Sequence, residues 1–159
     1  MFLFTNFENM SLSTSKSKIC FFFEHNSFSL QHRTELKVFI ETLFQKERKK
    51  LASINYIFCS DKRLLEINQQ FLRHDYYTDI ITFDFSETDA TQAEIYISID
   101  RVKDNAKTES VSFKSELHRV IFHGALHLCG YKDKKKGERK IMREKEGLYL
   151  SKYFKIANS

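Results

Sequence analysis

Proline is absent from this 159-residue chain, and no repeat, low-complexity tract or Ser/Gly-rich linker divides it. Such a chain is the size of one ordinary domain, large enough to bury an apolar core without disulfides or a structural metal. Long apolar runs are missing too. YIFC at 56–59 and VIF at 120–122 fall far short of the ~18 residues that a membrane-crossing helix needs. The opening MFLFTNFENMSLSTSKS lacks a basic start, a sustained apolar middle and a small-residue cleavage site, so it does not read as a secretory signal. It reads as a loose tail over 1–17, with Met10 as an alternative start. One domain is expected over 18–152 and a second tail over 153–159. Cysteine is scarce: Cys20, Cys59 and Cys129 are odd in number, widely spaced and without a CxxC pair. That predicts free thiols, no disulfides and a reducing, cytoplasmic setting.

What is present describes a globular protein: 42% apolar and 30% charged residues, with a net charge of +5. The placement of that charge is more informative than its size. Between Lys132 and Lys145 eight Lys or Arg face three acidic residues, Asp133, Glu138 and Glu144. A solvated helix face accounts for such a run, and so does a phosphate-bearing partner.

Along the chain, KICFFFEH (18–25) reads as a strand, and LQHRTELKVFIETLFQKERKK (30–50) as a helix with Leu36, Phe39, Ile40, Leu43 and Phe44 on one face. SINYIFCS (53–60) returns to strand character, followed by a helix capped by Ser60 or Asp61 that ends near His74 and Asp75. TDIITFDF (78–85) and AEIYISID (93–100) are two further strands joined by a short turn. In the second, Ile95, Ile97 and Ile99 alternate with Glu94, Tyr96, Ser98 and Asp100, the period of a half-covered strand. The rest is helical: 101–110, a helix capped by Ser112 and running to Leu128 or Cys129, and a last one from about Lys135. Four strands and about five helices predict an α+β domain with a mixed sheet and helices packed on it.

The Ser112-capped helix carries the chemistry. Positions four apart on a helix differ by only ~40°, so His123 and His127 point together. Glu116 shares their edge of the apolar stripe, whereas His118 lies on the other side and is not expected in a site. Phe122 and Leu126 make the last turns apolar nearly all round, which predicts a buried helix. Gly124 costs such a helix about 1 kcal/mol relative to Ala, so a close approach of another backbone is expected there. Gly130 is placed to end the helix in a left-handed cap, after which Asp133 can fold back towards the histidines. Two imidazoles and a loop carboxylate suit a divalent ion such as zinc and leave a coordination position open, as catalysis requires. HxxxH alone is equally a pair of buried structural histidines, and on the residues alone both readings stand. A metalloprotease is disfavoured, because Gly124 occupies the place of the glutamate in HExxH.

HGALHLCGY (123–131) resembles the HGxLHLxGYDH signature of the YbeY family, bacterial rRNA maturation factors described as zinc-dependent, single-strand-specific endoribonucleases. INQQFLRHDYYTDIITF (67–83) is similar to that family's LNxxYRxxxxPTDVLSF segment, AEIYISIDRV (93–102) to its GDI strand and following helix, and the likeness spans roughly 18–152. The resemblance implies action on the 3′ end of 16S rRNA and in ribosome quality control, with single-stranded RNA, rRNA and ribosomal subunits as partners. It implies one Zn2+ per chain on His123, His127 and Asp133. Three departures stand out: Asp133 replaces the family's third histidine, Leu72 its functional arginine, and Tyr77 its proline.

On this reading His123 is a metal ligand in the catalytic centre, with Arg73, one residue beyond Leu72, and Glu116 as further catalytic candidates. Arg73, Lys132, Lys134, Lys135 and Lys136 are the expected RNA-backbone contacts, and Tyr76, Tyr77 or Tyr131 the expected stacking platforms. His74 and Asp75 are read as a helix end. The rivals are a ribosome-assembly factor that binds RNA without cutting it, and a metal-dependent hydrolase of some other substrate.

Overall fold

A computed structural model describes residues 16–25 and 27–158, so the expected N-terminal tail lies, but for its last two residues, outside the described part. Nine elements follow one another: β1 (Ile19–Phe23), α1 (Arg33–Lys46), β2 (Lys50–Cys59), α2 (Asp61–Leu72), β3 (Ile80–Asp84), β4 (Ala90–Ser98), α3 (Ile99–Thr108), α4 (Phe113–Leu128) and α5 (Lys136–Ala157). The strands form one mixed sheet in the order β1-β2-β4-β3, with β1, β2 and β4 parallel and β3 antiparallel to β4 at the edge. The parallel pairs follow from helical crossovers and the antiparallel pair from the short 85–89 turn.

Both faces of the sheet are covered. Ile54, Tyr56, Phe58, Ile95 and Ile97 share one core with α1, α4 and α5, while Ile57, Cys59 and Tyr96 on the opposite face pack under Leu64 and Ile67 of α2. The expectation of a half-covered strand therefore fails for β4. Its alternation is real, but the second face meets α2 rather than water, and Tyr96, Ser98 and Glu94 are buried with it. The strand also ends sooner than expected. The Ser98 hydroxyl accepts the Arg101 amide as an N-cap, which turns Ile99 and Asp100 into the first turn of α3. At the other end, α5 continues through Ala157 and buries Tyr153 to 2% exposure, so residues 153–157 belong to the helix and not to a tail.

The position of α4 decides where chemistry can occur. The Ser112 hydroxyl accepts the Ser115 amide to start it, and the buried Tyr56 hydroxyl donates to the Ile121 carbonyl from β2 at 3.1 Å. Gly130, at φ 101°, ends it. The Tyr131 amide donates to Leu126 and the Gly130 amide to His127, the paired bonds of a left-handed glycine cap. Gly124 is where the helix presses on the sheet. The close approach there comes from side chains and not backbone: a Cβ at 124 would sit 2.9 Å from Ile80 Cδ1 and 3.1 and 3.2 Å from two atoms of the fully buried Ile95.

Gly124→Ala thus gains about 1 kcal/mol of helix propensity and loses more to overpacking, for which about 1–3 kcal/mol is usual. The expected outcome in thermal unfolding is a lower Tm for Gly124→Ala and a far lower one for Gly124→Val; an alanine variant more stable than the parent would show that Ile80 swings aside freely.

Candidate metal centre

His123 and His127 leave α4 on the side facing β3, and the chain beyond Gly130 brings Asp133 back to them. His123 Nε2 and His127 Nε2 are 3.0 Å apart, and Asp133 Oδ2 lies 3.3 Å from the first and 3.2 Å from the second. The hydrogen bonds behind the rings settle what these atoms are. His127 Nδ1 sits 2.9 Å from the Tyr131 carbonyl, which can only accept, so Nδ1 carries a proton and in the neutral ring Nε2 carries a lone pair. His123 Nδ1 donates to Glu146 Oε1 at 2.6 Å, and in the neutral ring its Nε2 is likewise bare. Three lone pairs therefore converge on one point. A cation between them satisfies all three, and ligand bonds of ~2.0–2.1 Å in a tetrahedral site imply ligand separations of about 3.3 Å, close to those seen. His123, His127 and Asp133 form a group of donor atoms suited to a metal ion.

Behind His123 stands a buried charge network that the sequence pattern did not disclose. Glu146 of α5, at 2% exposure, accepts from His123 and from Arg119 at 3.3 Å, with Arg143 at 3.4 Å. Burial pushes its carboxyl upward, but the His123 hydrogen bond and the charge of Arg119 outweigh that and hold it below the ordinary carboxylate value. Arg119 also grips Glu116 through two bonds of 2.9 and 2.6 Å and lies 3.7 Å from Asp79. Glu116 is thus three links from the His123 ring, through Arg119 and Glu146, and is buried. Glu146 was visible in principle, as a lone acid within the apolar series Met142, Tyr149 and Tyr153 on one face of α5.

On the His127 side, Tyr131 is held by its hydroxyl, which donates to Glu47 Oε2 at 2.7 Å, with Lys145 5.1 Å from its ring centroid. That tie fixes the carbonyl that orients His127, and it turns the Tyr131 ring away from any stacking role at the cavity. Cys129, inside the motif, is buried, and burial pushes its thiol up to about 12, which removes it as a nucleophile at neutral pH. His118 lies off the site as expected: it stacks on Tyr153 with centroids 4.9 Å apart.

The three donor atoms open onto a cavity of about 670 Å3 between α2, β3 and the loop after α4. Leu72, Tyr76, Thr78, Asp79, Thr82 and Lys134 are among its walls. Asn68, 1% exposed, donates to the Tyr76 carbonyl at 2.8 Å and fixes the turn that carries Tyr76. Of the expected RNA contacts, only Lys134 belongs to this wall; Arg73, Lys132, Lys135 and Lys136 do not. Arg73 is the left-handed C-cap of α2, and His74 and Asp75 follow it as the helix end. Tyr77 lies under the Arg101 guanidinium, 5.0 Å from its ring centroid.

Known proteins match this arrangement over most of its length. Residues 21–154 fit the family described as Endoribonuclease YbeY. A protein of that name from Cytophaga hutchinsonii is 52% identical over 134 residues, which span 84% of this chain and 94% of the relative. Another from Parabacteroides distasonis is 50% identical over 112 residues, 70% of this chain and 79% of the relative. The solution structure of a Thermotoga maritima protein superposes with a TM-score of 0.61 at 30% identity, covering 88% of this chain and 91% of the other. A shared fold, identity of about half over most of the chain and a family match whose span includes His123, His127, Asp133 and Glu146 have one explanation: the chain belongs to the endoribonuclease YbeY family.

Proposed function

We propose that this protein is a zinc-dependent hydrolase that cuts single-stranded RNA, acting in the cytoplasm on rRNA at the 3′ end of 16S rRNA and in ribosome quality control, with ribosomal subunits as partners. One observation carries the reading: three lone pairs, fixed by hydrogen bonds behind them, converge at the wall of an open cavity in a chain of an endoribonuclease family. His123, His127 and Asp133 would hold one Zn2+ per chain. Such an ion supplies positive charge that polarises a phosphodiester and makes water a better proton donor.

The chain's own residues do the remainder. Tyr131 and Glu146 keep both imidazoles turned inward with Nε2 unprotonated. Tyr76, 57% exposed, and Leu72 give the cavity an aromatic and apolar rim on which an unstacked base can rest. A cavity of about 670 Å3 has room for an unpaired nucleotide and none for a duplex, which supports the single-strand preference. Lys134 contacts substrate from the wall, and Arg73, Lys132, Lys135 and Lys136 hold phosphates further along. A second reading, an RNA-binding assembly factor without turnover, is favoured by Leu72, which places an alkyl group and not a cation on the cavity wall.

Purified protein incubated with single-stranded rRNA fragments separates the two. Cleavage that is abolished by a chelator and by His123→Ala, with RNA binding retained, is the expected result; RNA binding with no metal-dependent cleavage would establish the assembly factor instead. Elemental analysis is expected to find one zinc per chain, and none in His123→Ala/His127→Ala. Glu146→Gln removes the anion that orients His123, so metal affinity measured by chelator competition should fall about 10–100-fold. Arg119→Met leaves the buried Glu116 and Glu146 without their shared cation, and chemical denaturation should show a loss of about 3–5 kcal/mol.

A further inference from the structure

The metal centre has two sides, and they differ in charge. The larger cavity is acidic: Asp79, Asp84 and Asp133 line it, against Lys134 as the one cation among its lining residues. Among the described residues neither Arg73 nor any other arginine contributes to that wall, to which Leu72 adds an alkyl group. On the far side of His123 and Asp133 lies a second, smaller cavity of about 150 Å3, lined by Arg119, Arg139, Arg143, Met142 and Glu146 besides those two ligands. Here three guanidinium groups face two carboxylates. The same two side chains, His123 and Asp133, wall both cavities.

Of the three arginines, Arg119 is committed to the buried acids, but Arg139 and Arg143 are not. Arg143 keeps a long 3.4 Å contact to a Glu146 already served by His123 and Arg119, and 61% of its side chain is exposed. Arg139 is exposed and donates to the Lys134 carbonyl. The two stand four residues apart on α5, so their stems are about 5–6 Å apart on one helix face. Guanidinium forks match phosphate oxygens in pairs. We propose that Arg139 and Arg143 form a phosphate-binding subsite on the α5 side of the metal centre, so that RNA lies across His123 and Asp133 with a backbone phosphate against α5 and its base in the larger, acidic cavity. Charge favours this orientation: apart from the shared Asp133, the larger cavity offers Asp84 and the Arg119-paired Asp79 against Lys134, whereas the smaller offers Arg139 and Arg143 beside a Glu146 already served by His123 and Arg119. The subsite takes its substrate class from the endoribonuclease reading but not its existence, which rests on the cations.

The test is binding of a short 2′-O-methyl single-stranded oligonucleotide to the zinc-loaded full chain, read by fluorescence anisotropy across a salt series. Arg139→Gln/Arg143→Gln is expected to weaken binding about tenfold and to reduce the slope of log K against log salt by about 1.4, that is ~0.7 for each single-strand phosphate no longer neutralised. Arg139→Gln alone, which leaves the Glu146 hydrogen bonds intact, should show about half of that slope change. Zinc content and Tm should stay at parental values, and with a cleavable RNA the defect should appear in KM and not in kcat. Lys46→Gln/Lys152→Gln removes the same charge from the groove between α1 and α5 and should change nothing. Parental affinity and slope in the arginine double variant, or an equal weakening in the lysine control, overturns the subsite. Binding that depends on both arginines in a protein that never cleaves RNA supports the subsite while removing the nuclease reading.

Discussion

Two hydrogen bonds that never touch substrate govern the metal centre. The Tyr131 carbonyl and the Glu146 carboxylate each accept a hydrogen bond from one Nδ1–H, and this leaves both Nε2 atoms aimed at Asp133. Without those acceptors the imidazoles could exist as the other tautomer or rotate away, and the three donor atoms would not meet. Each acceptor is held in turn. Gly130 adopts a backbone conformation that most side chains avoid, and so turns the Tyr131 carbonyl back onto the helix it has just left. Glu146 is delivered by α5, whose Met142, Tyr149 and Tyr153 anchor it in the core.

The same arrangement explains why charged groups are tolerated so deep in the fold. Glu116 and Glu146 are both nearly inaccessible, and an isolated carboxylate there would be strongly unfavourable. Arg119 lies between them and reaches Asp79 at the cavity wall. Burial alone would lower a guanidinium's affinity for its proton, yet its hydrogen bonds to Glu116 and the charge of the nearby acids raise it. The network therefore runs from α4 through α5 back to His123, and removing any one member leaves a buried charge without its partner.

The donor set and the cavity beside it have a distinct chemistry. A carboxylate at 133 makes the donor set less positive than three imidazoles would be, and Leu72 puts an alkyl group on the α2 side of the cavity. The compensating positive charge lies on α5, whose Arg139 and Arg143 border the same two ligands from behind. The two sides of the candidate metal centre thus differ in character: apolar and aromatic surface on one, guanidinium groups on the other.

Much of this was legible in the sequence because it is local. Helical period placed His123 beside His127, Ser112 and Gly130 marked the ends of their helix, and alternation marked Ile95 and Ile97 as one face of a strand. Period alone could not say that Tyr96 and Ser98 are buried too, since a second covered face depends on α2, contributed by a separate stretch of chain. Period could mark Glu146 as an acid on the apolar face of α5, but not pair it with His123, 23 residues earlier, or set Arg119 between two acids. Spacing fixes which side chains share an edge of one helix, because the backbone dictates the angle per residue. Which atoms satisfy the far side of an imidazole, and whether a nearby lysine or arginine faces the metal or water, depends on how separate helices pack, and only the tertiary structure decided that.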